Sequence, residues 1–442
     1  MAFYDQEWET MPWEKLAAVQ LEKFKQQAHR VYQNPFLRRR FDEAGIHPED
    51  IKTTDDIKGV PFTVKKDLRD CYPLGLLSGN WEDVVRVHMT SGTTGVPVAM
   101  VYTKNDLRTW SRLMARNFTA GGLRKEDIVQ QAHGYGLFTG GFGFHYALEE
   151  VGAKVIPTGA GGTERQLRLM QEWGATVFTG TPTYAVYVSE VAREKGIDPV
   201  KDLKLRLGFH GGEPCSDEMR ARINERLGYA AHGGGMRRVY GLTEMGGPTA
   251  MDCEYVTGIH IWADHYLVEV LDPETLRDVP PGTPGELVLS NLAFEAMPIL
   301  RYRTGDRVIV DFSPCPCGRT HPRIVKFLGR VDDMLLVSGT NVFPSQIEHV
   351  LLKHAELSEN WLLVVGEKMG LHTLEVQVEP APGVQPDEEF INRLEKELHS
   401  YLEITCKVVL VPCGSLQRFE GKAVRVLDKR GKGQESGLRI RN

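Results

Sequence analysis

Val84-Val85-Arg86-Val87-His88-Met89-Thr90 runs directly into Ser91-Gly92-Thr93-Thr94-Gly95-Val96-Pro97. β-Branched residues crowd the first half, while hydroxyls and glycines with no bulky side chain fill the second, which reads as a strand emptying into a loop. The pattern recurs downstream. Strand signals lie at 128–132, 153–158, 175–180 and 205–210, with helical patterns at 105–118, 164–173, 183–195 and 216–226 between them. Alternation of this kind predicts an α/β fold with mostly parallel sheets, whose ligands sit at the carboxyl ends of strands. Glycine clusters fall at those ends, at 92–95, 134–143, 159–162, 211–212, 233–235 and 241–247.

Upstream, Leu16, Val19, Phe24 and Val31 mark a helix over 13–31. From about residue 260 the texture becomes that of antiparallel strands, with HYLVEVLD, GELVLSNL and DRVIVDF separated by turns. After Gly329 comes helix, strand, strand, helix, strand in about 110 residues, a compact α+β unit. Two domains are expected, 1–330 and 331–442, the first an α/β domain with a β-rich subdomain. The basic tail 430–442 reads as a solvated end.

The 442 residues carry 53 Lys+Arg and 59 Asp+Glu, a net charge of −6, with 41% hydrophobic residues and 45 glycines. That excludes a disordered chain, and the lack of a three-residue glycine period excludes collagen. A mildly acidic chain is a poor generic binder of nucleic acid, and no stretch approaches a membrane span. Seven scattered cysteines and a polar, acidic amino-terminal stretch point to a reducing compartment, the cytoplasm.

Five motifs carry chemistry. Ser91, Gly92, Thr93, Thr94 and Gly95 can turn backbone N–H groups and hydroxyls onto a phosphate, although polar turns of this composition are common. In Tyr240-Gly241-Leu242-Thr243-Glu244 an aromatic can lie against a purine, a hydroxyl can bond phosphate and a carboxylate can hold Mg²⁺. A capped loop facing water fits the same residues. Asp306, after the turn at Gly305, suits ribose hydroxyls. Gly329-Arg330-Val331-Asp332-Asp333 lies at the domain boundary, and Gly421-Lys422-Ala423 lies near the carboxyl terminus, where lone lysines are usually solvated.

The order SGTTG, YGLTE, RTGD, GRVDD, GKAVR resembles the adenylate-forming superfamily. Phe41-Asp42-Glu43-Ala44-Gly45, Leu68-Arg69-Asp70, Gly134-Tyr135-Gly136-Leu137-Phe138-Thr139-Gly140-Gly141, Gly212-Glu213-Pro214 and Pro298-Ile299-Leu300-Arg301 look like the phenylacetate–coenzyme A ligase family within it, over essentially the whole chain. The resemblance implies ATP-dependent formation of an acyl-AMP and then transfer of the acyl group to coenzyme A, with a small domain that rotates between the steps. It implies that Ser91 to Gly95 hold the triphosphate and that Tyr240, Gly241 and the backbone of Gly211, Gly212, Glu213 and Pro214 flank adenine. Thr243 would touch phosphate, Glu244 would coordinate Mg²⁺, Asp306 would bind ribose and Arg330 would help hold the nucleotide. Asp332 would be the hinge, Lys422 would act in adenylation only, and Ser338 and Gly339 would line the pantetheine channel. Many superfamily members have Lys after the Pro of the first motif; here Val98 follows Pro97. A homodimer is common in similar enzymes.

Tyr135, Phe138 and Phe142, with Gly140 among the interleaved glycines, suit a flat slot for an aryl acid, though aromatics also pack ordinary cores. Phenylacetate is the first expectation; benzoates, hydroxyphenylacetates and indoleacetate stay open. A carrier protein or an amine as acceptor, or a non-catalytic nucleotide sensor, are the competing functions. Separately, Cys315-Pro316-Cys317, with Cys253 and His260, fits a closed Cys₃His structural zinc site, with His265 and His321 as alternative nitrogen ligands and free thiols as the plainer reading.

Overall fold

The computed structural model describes residues 2–90, 96–331, 334–337, 340–368, 371–420, 422–430 and 439–441. One mixed sheet of eleven strands forms its spine, in the order 266–271, 285–291, 302–311, 323–330, 259–261, 247–252, 235–242, 207–211, 177–180, 128–131, 154–156. Strands 154–156, 128–131, 177–180, 207–211 and 235–242 pair in parallel. Beyond 235–242 every pairing is antiparallel. The β-rich segment is thus a continuation of the parallel sheet.

Helices Lys104–Ala120, Thr163–Trp173, Pro182–Glu194 and Asp217–Arg226 match the predicted pattern. Trp13–Val31 turns Leu16, Gln20, Phe24, Gln27, Ala28 and Val31 inward, the spacing of one helical face. Three sequence expectations change. Val84–Met89 pairs antiparallel with Ala99–Thr103 in a two-stranded ribbon outside the main sheet. Thr139–Val151, whose first five residues lie in the 134–143 glycine cluster, is a helix. Its glycines are where neighbours press in: a Cβ at Gly143 would lie 2.5 Å from the Trp110 ring, and one at Gly141 2.3 Å from the Gly134 carbonyl. The tail is not wholly a solvated end, because Arg439–Arg441 adds a strand beside Val426–Asp428.

A second hydrophobic core, from Leu335 to Val426, fills a five-stranded sheet with strand order 407–410, 371–380, 357–368, 426–428, 439–441 and the helices Pro344–Leu351 and Glu388–Leu402. It docks against the Pro182–Glu194 and Asp217–Arg226 helices through Leu352, which is buried in the same apolar cluster as Val188, Met219 and Ile223, and through charged groups. Arg222 donates to the carbonyls of Leu352, His354 and Leu357 at 2.7 Å, Arg226 forms an ion pair with Glu359 at 2.7 Å, and Arg418 reaches Glu190 at 2.9 Å. Among the described residues no helix is long and apolar enough to cross a membrane.

The amino-terminal segment straps onto the loop after Cys317. Arg319 pairs with Glu9 at 2.6 Å and donates to the Ala2 carbonyl, Thr320 donates to the Met11 carbonyl, and His321 Nε2 meets the Trp8 carbonyl at 2.9 Å. Arg319 and Glu9 are 1% and 0% exposed, so neither charge has water to fall back on. Glu9→Ala leaves that guanidinium unpaired and is expected to cost about 3–5 kcal/mol in denaturant unfolding. A loss under about 1 kcal/mol would show that water replaces the carboxylate.

Candidate active site

The nucleotide motifs converge at the carboxyl ends of the parallel strands, where the sheet changes to antiparallel pairing. Asp306 is 1% exposed, and its carboxylate accepts from Tyr240 Oη at 2.6 Å and from Arg330 Nη1 at 2.6 Å. Asp306 and Arg330 are direct partners across adjacent antiparallel strands, so sheet register brings them together. Thr304 Oγ1 accepts the Asp306 N–H at 3.0 Å, and the Thr304 carbonyl accepts from Arg330. Burial, reinforced by Asp306, pushes the Tyr240 hydroxyl well above the usual phenol range, so it stays a donor. The result is a rigid polar floor that can meet ribose hydroxyls beside an aromatic ring.

Thr243 and Glu244 sit in a single 3₁₀ turn directly after the Gly235–Leu242 strand. Glu244 is 5% exposed, and Lys65 Nζ lies 3.9 Å from it. Lys65, in Thr63-Val64-Lys65-Lys66-Asp67, was not singled out in the sequence; two adjacent lysines opening a short helix gave no periodic cue. Lys422 joins the same cleft from the other body, its Cε 3.8 Å from where a Cβ on Gly212 would stand. The residue as a whole is exposed. Desolvation by the surrounding protein nevertheless lowers its pKa, with Arg330 and Lys65 pulling the same way and Glu213 and Glu244 opposing. Three cations around two carboxylates suit a polyanion whose charge must be neutralised during reaction. Ser91, Gly92, Thr93, Thr94, Gly95, Asp332, Ser338 and Gly339 lie outside the described residues.

Of the aromatic slot, Tyr135 and Phe142 meet edge to face at 5.4 Å, and Phe142 stacks with Tyr146 at 6.2 Å. The Arg86 guanidinium lies 5.1 and 4.9 Å from the rings of Phe142 and Tyr146. Tyr135 Oη is 3.0 Å from His145 Nδ1. Phe138 stands apart from this stack, 53% exposed, because it caps the helix from outside. Gly140 flanks His133, whose pKa burial pulls down to about 4 and whose Nε2 is buried without a hydrogen-bond partner. The sequence reading names none of Tyr146, Arg86 and His145: two lie on the helix that the 134–143 glycine cluster opens and one on the Val84–Met89 strand, and no motif marks their convergence.

Cys253, His260, Cys315 and Cys317 are all buried, with ligand atoms within 4.8 Å of one another. A tetrahedral ion with Zn–S of about 2.3 Å and Zn–N of about 2.0 Å sets ligands about 3.8 Å (S to S) and about 3.5 Å (S to N) apart. Cys253 Sγ and Cys315 Sγ are 3.8 Å apart, and Cys317 Sγ lies 3.6 Å from His260 Nε2. The donor set therefore fits zinc. His321 is excluded as a ligand, since its Nδ1 accepts from the Ala263 N–H and its Nε2 meets the Trp8 carbonyl, while His265 is engaged with Asp264.

Residues 20–293 match the family model for the AMP-binding enzyme, and 339–430 match that for the AMP-binding enzyme C-terminal domain. A phenylacetate-coenzyme A ligase from Pseudomonas putida is 43% identical over 432 residues, covering 96% of both chains. One from Thermus thermophilus is 41% identical, covering 97% of this chain and 99% of its own. Among solved structures, 2-hydroxyisobutyryl-CoA ligase in the postadenylation state with 2-HIB-AMP superposes with a TM-score of 0.89 at 29% identity, covering 97% of this chain and 92% of its own. The same enzyme in the thioesterification state gives 0.71 at 30% identity, covering 96% and 91%. The chain therefore belongs to the AMP-binding, adenylate-forming enzymes, in the phenylacetate–coenzyme A ligase family, and is an AMP-forming acid–coenzyme A ligase.

Proposed function

We propose that the activated acid is an aryl acid, phenylacetate first, with Mg²⁺-ATP as co-substrate, coenzyme A as acceptor and a structural zinc in the Cys₃His cluster. The observation that carries Mg²⁺-ATP as co-substrate is the convergence of Lys422, Arg330, Lys65 and Glu244 on one cleft beside the Tyr240–Asp306 floor. A carboxylate oxygen attacks the α-phosphorus, the bond to the β-phosphate breaks and pyrophosphate leaves. The acid is already ionised at neutral pH, so no general base is needed. What the protein must supply is alignment and charge neutralisation.

Asp306 and Tyr240 orient the ribose and adenine, while Thr243, Arg330 and Lys422 face the phosphates. When bound, Mg²⁺ neutralises phosphate charge, and the buried Glu244 is the carboxylate suited to hold it. In the second step the coenzyme A thiolate attacks the acyl carbon, AMP leaves and the thiol proton goes to solvent. Tyr135, Phe142 and Tyr146 suit a ring-shaped acid. Residues 331–442 act as the mobile body, hinged near Asp332, with 1–330 holding ATP and acid. The separate core over 335–426 supports that division. The better superposition on the postadenylation state supports reading the present orientation, with Lys422 in the cleft, as the adenylation one.

A panel of carboxylic acids with ATP, Mg²⁺ and coenzyme A, read as AMP release, is expected to favour phenylacetate; preference for a short aliphatic acid would sink the aryl reading. Lys422→Ala is expected to lose about a hundredfold or more of acid-dependent ATP–pyrophosphate exchange. It should leave thioester formation from supplied acyl-AMP largely intact, and equal loss of both steps would contradict a two-orientation mechanism. Protein purified without chelator should carry about one zinc per chain. Cys317→Ser should lose most of it, and unchanged metal content would remove Cys317 from the ligand set.

A further inference from the structure

The loop that delivers Lys422 needs something to receive it. Glu213 follows the Leu207–Gly211 strand in the turn that also carries Gly212. Its carboxylate accepts two backbone N–H groups from opposite sides of the seam. Oε1 takes that of Thr183 at 2.9 Å, and Oε2 takes that of Ala423, the residue after Lys422, at 3.1 Å. Thr183 is the second residue of the Pro182–Glu194 helix, whose exposed amide dipoles favour a negative charge there. The lysine stem crosses the same turn, with Cε 3.8 Å from the Cβ that Gly212 lacks.

We propose that Glu213 is the positioning residue of the adenylation half-reaction: its carboxylate, anchored on the Pro182–Glu194 helix, captures the backbone of the catalytic-lysine loop and aims Lys422 into the cleft. The sequence reading gave Glu213 only a backbone role beside adenine, whereas here its side chain bridges two bodies. A carboxylate is required because both partners are donors. An amide in its place offers one acceptor oxygen and turns an N–H towards the other donor. Glu213 also acts on Lys422 through charge, opposing the burial, Arg330 and Lys65 that lower its pKa, alongside Glu244. When the small body swings away, the Ala423 contact is lost with it, so Glu213 has no part in thioester formation.

The proposal rests on Lys422 being the adenylation lysine, and the test separates the two. Glu213→Gln, Ala423→Pro and Lys422→Ala are compared in acid-dependent ATP–pyrophosphate exchange and in thioester formation from supplied phenylacetyl-AMP and coenzyme A. Glu213→Gln is expected to lower the exchange kcat about tenfold to a hundredfold with little change in KM for ATP, and to leave the thioester step within about twofold. Its loss of charge should also move the alkaline limb of the exchange profile to lower pH, as Lys422 releases its proton more readily. Ala423→Pro deletes the donor from the loop side without touching the Gly211–Pro214 turn, and should reproduce the exchange defect. Full exchange in Glu213→Gln or Ala423→Pro beside a dead Lys422→Ala overturns the proposal while leaving the Lys422 reading standing. A rise in KM for ATP at constant kcat, or equal loss of both half-reactions, also overturns it. Full exchange in Lys422→Ala instead strikes the functional reading itself.

Discussion

A carboxylate buried to 1% exposure must be matched by donors, and those matching Asp306 come from distant parts of the chain. Tyr240 ends a strand joined to the parallel half of the sheet, and Arg330 lies on the last strand before the second body. For both to reach Asp306, the parallel and antiparallel halves must be one continuous, correctly registered sheet. A one-residue slip between strands 302–311 and 323–330 would send Arg330 to the opposite face. The nucleotide floor and the long mixed sheet are thus one constraint seen at two scales.

That constraint explains a division of labour. The floor is built entirely from sheet residues of the larger body, whereas Lys422, the cation that the proposed mechanism sets on the phosphates, arrives on a loop of the smaller one. In that proposal, rigidity falls where the nucleotide is recognised, and a removable contact where charge is needed for a single step. The zinc-suited cluster and the amino-terminal strap lie elsewhere, in the β-rich part, and share the 315–321 loop.

Much of this was legible in the sequence because it is written locally. The strand-to-glycine transitions, the Tyr240–Glu244 turn and the helix 13–31 depend on neighbouring residues. The sequence also groups Cys253, His260, Cys315 and Cys317, which the fold brings within 4.8 Å of one another, and the partners of His321 and His265 remove the alternatives. What stayed hidden depends on distant packing. Gly140, Gly141 and Gly143 each disfavour helix by roughly 1 kcal/mol relative to alanine, yet Trp110 and the Gly134 backbone leave no room for anything larger at two of them. Lys65 and Glu213 carry no motif that names their partners, because those partners lie about 180 and 210 residues away in the chain.

Beside the buried Leu352 and the Glu213–Ala423 contact, the seam between the two bodies is held by Arg222, Arg226, Glu190, Glu359 and Arg418. An apolar joint of that size would be sticky, since parting it would put greasy surface into water. A joint of ions parts by exchanging each partner for hydration, at a net difference that is small beside the gross attraction. Parting the two bodies would therefore mean rehydrating each of these groups.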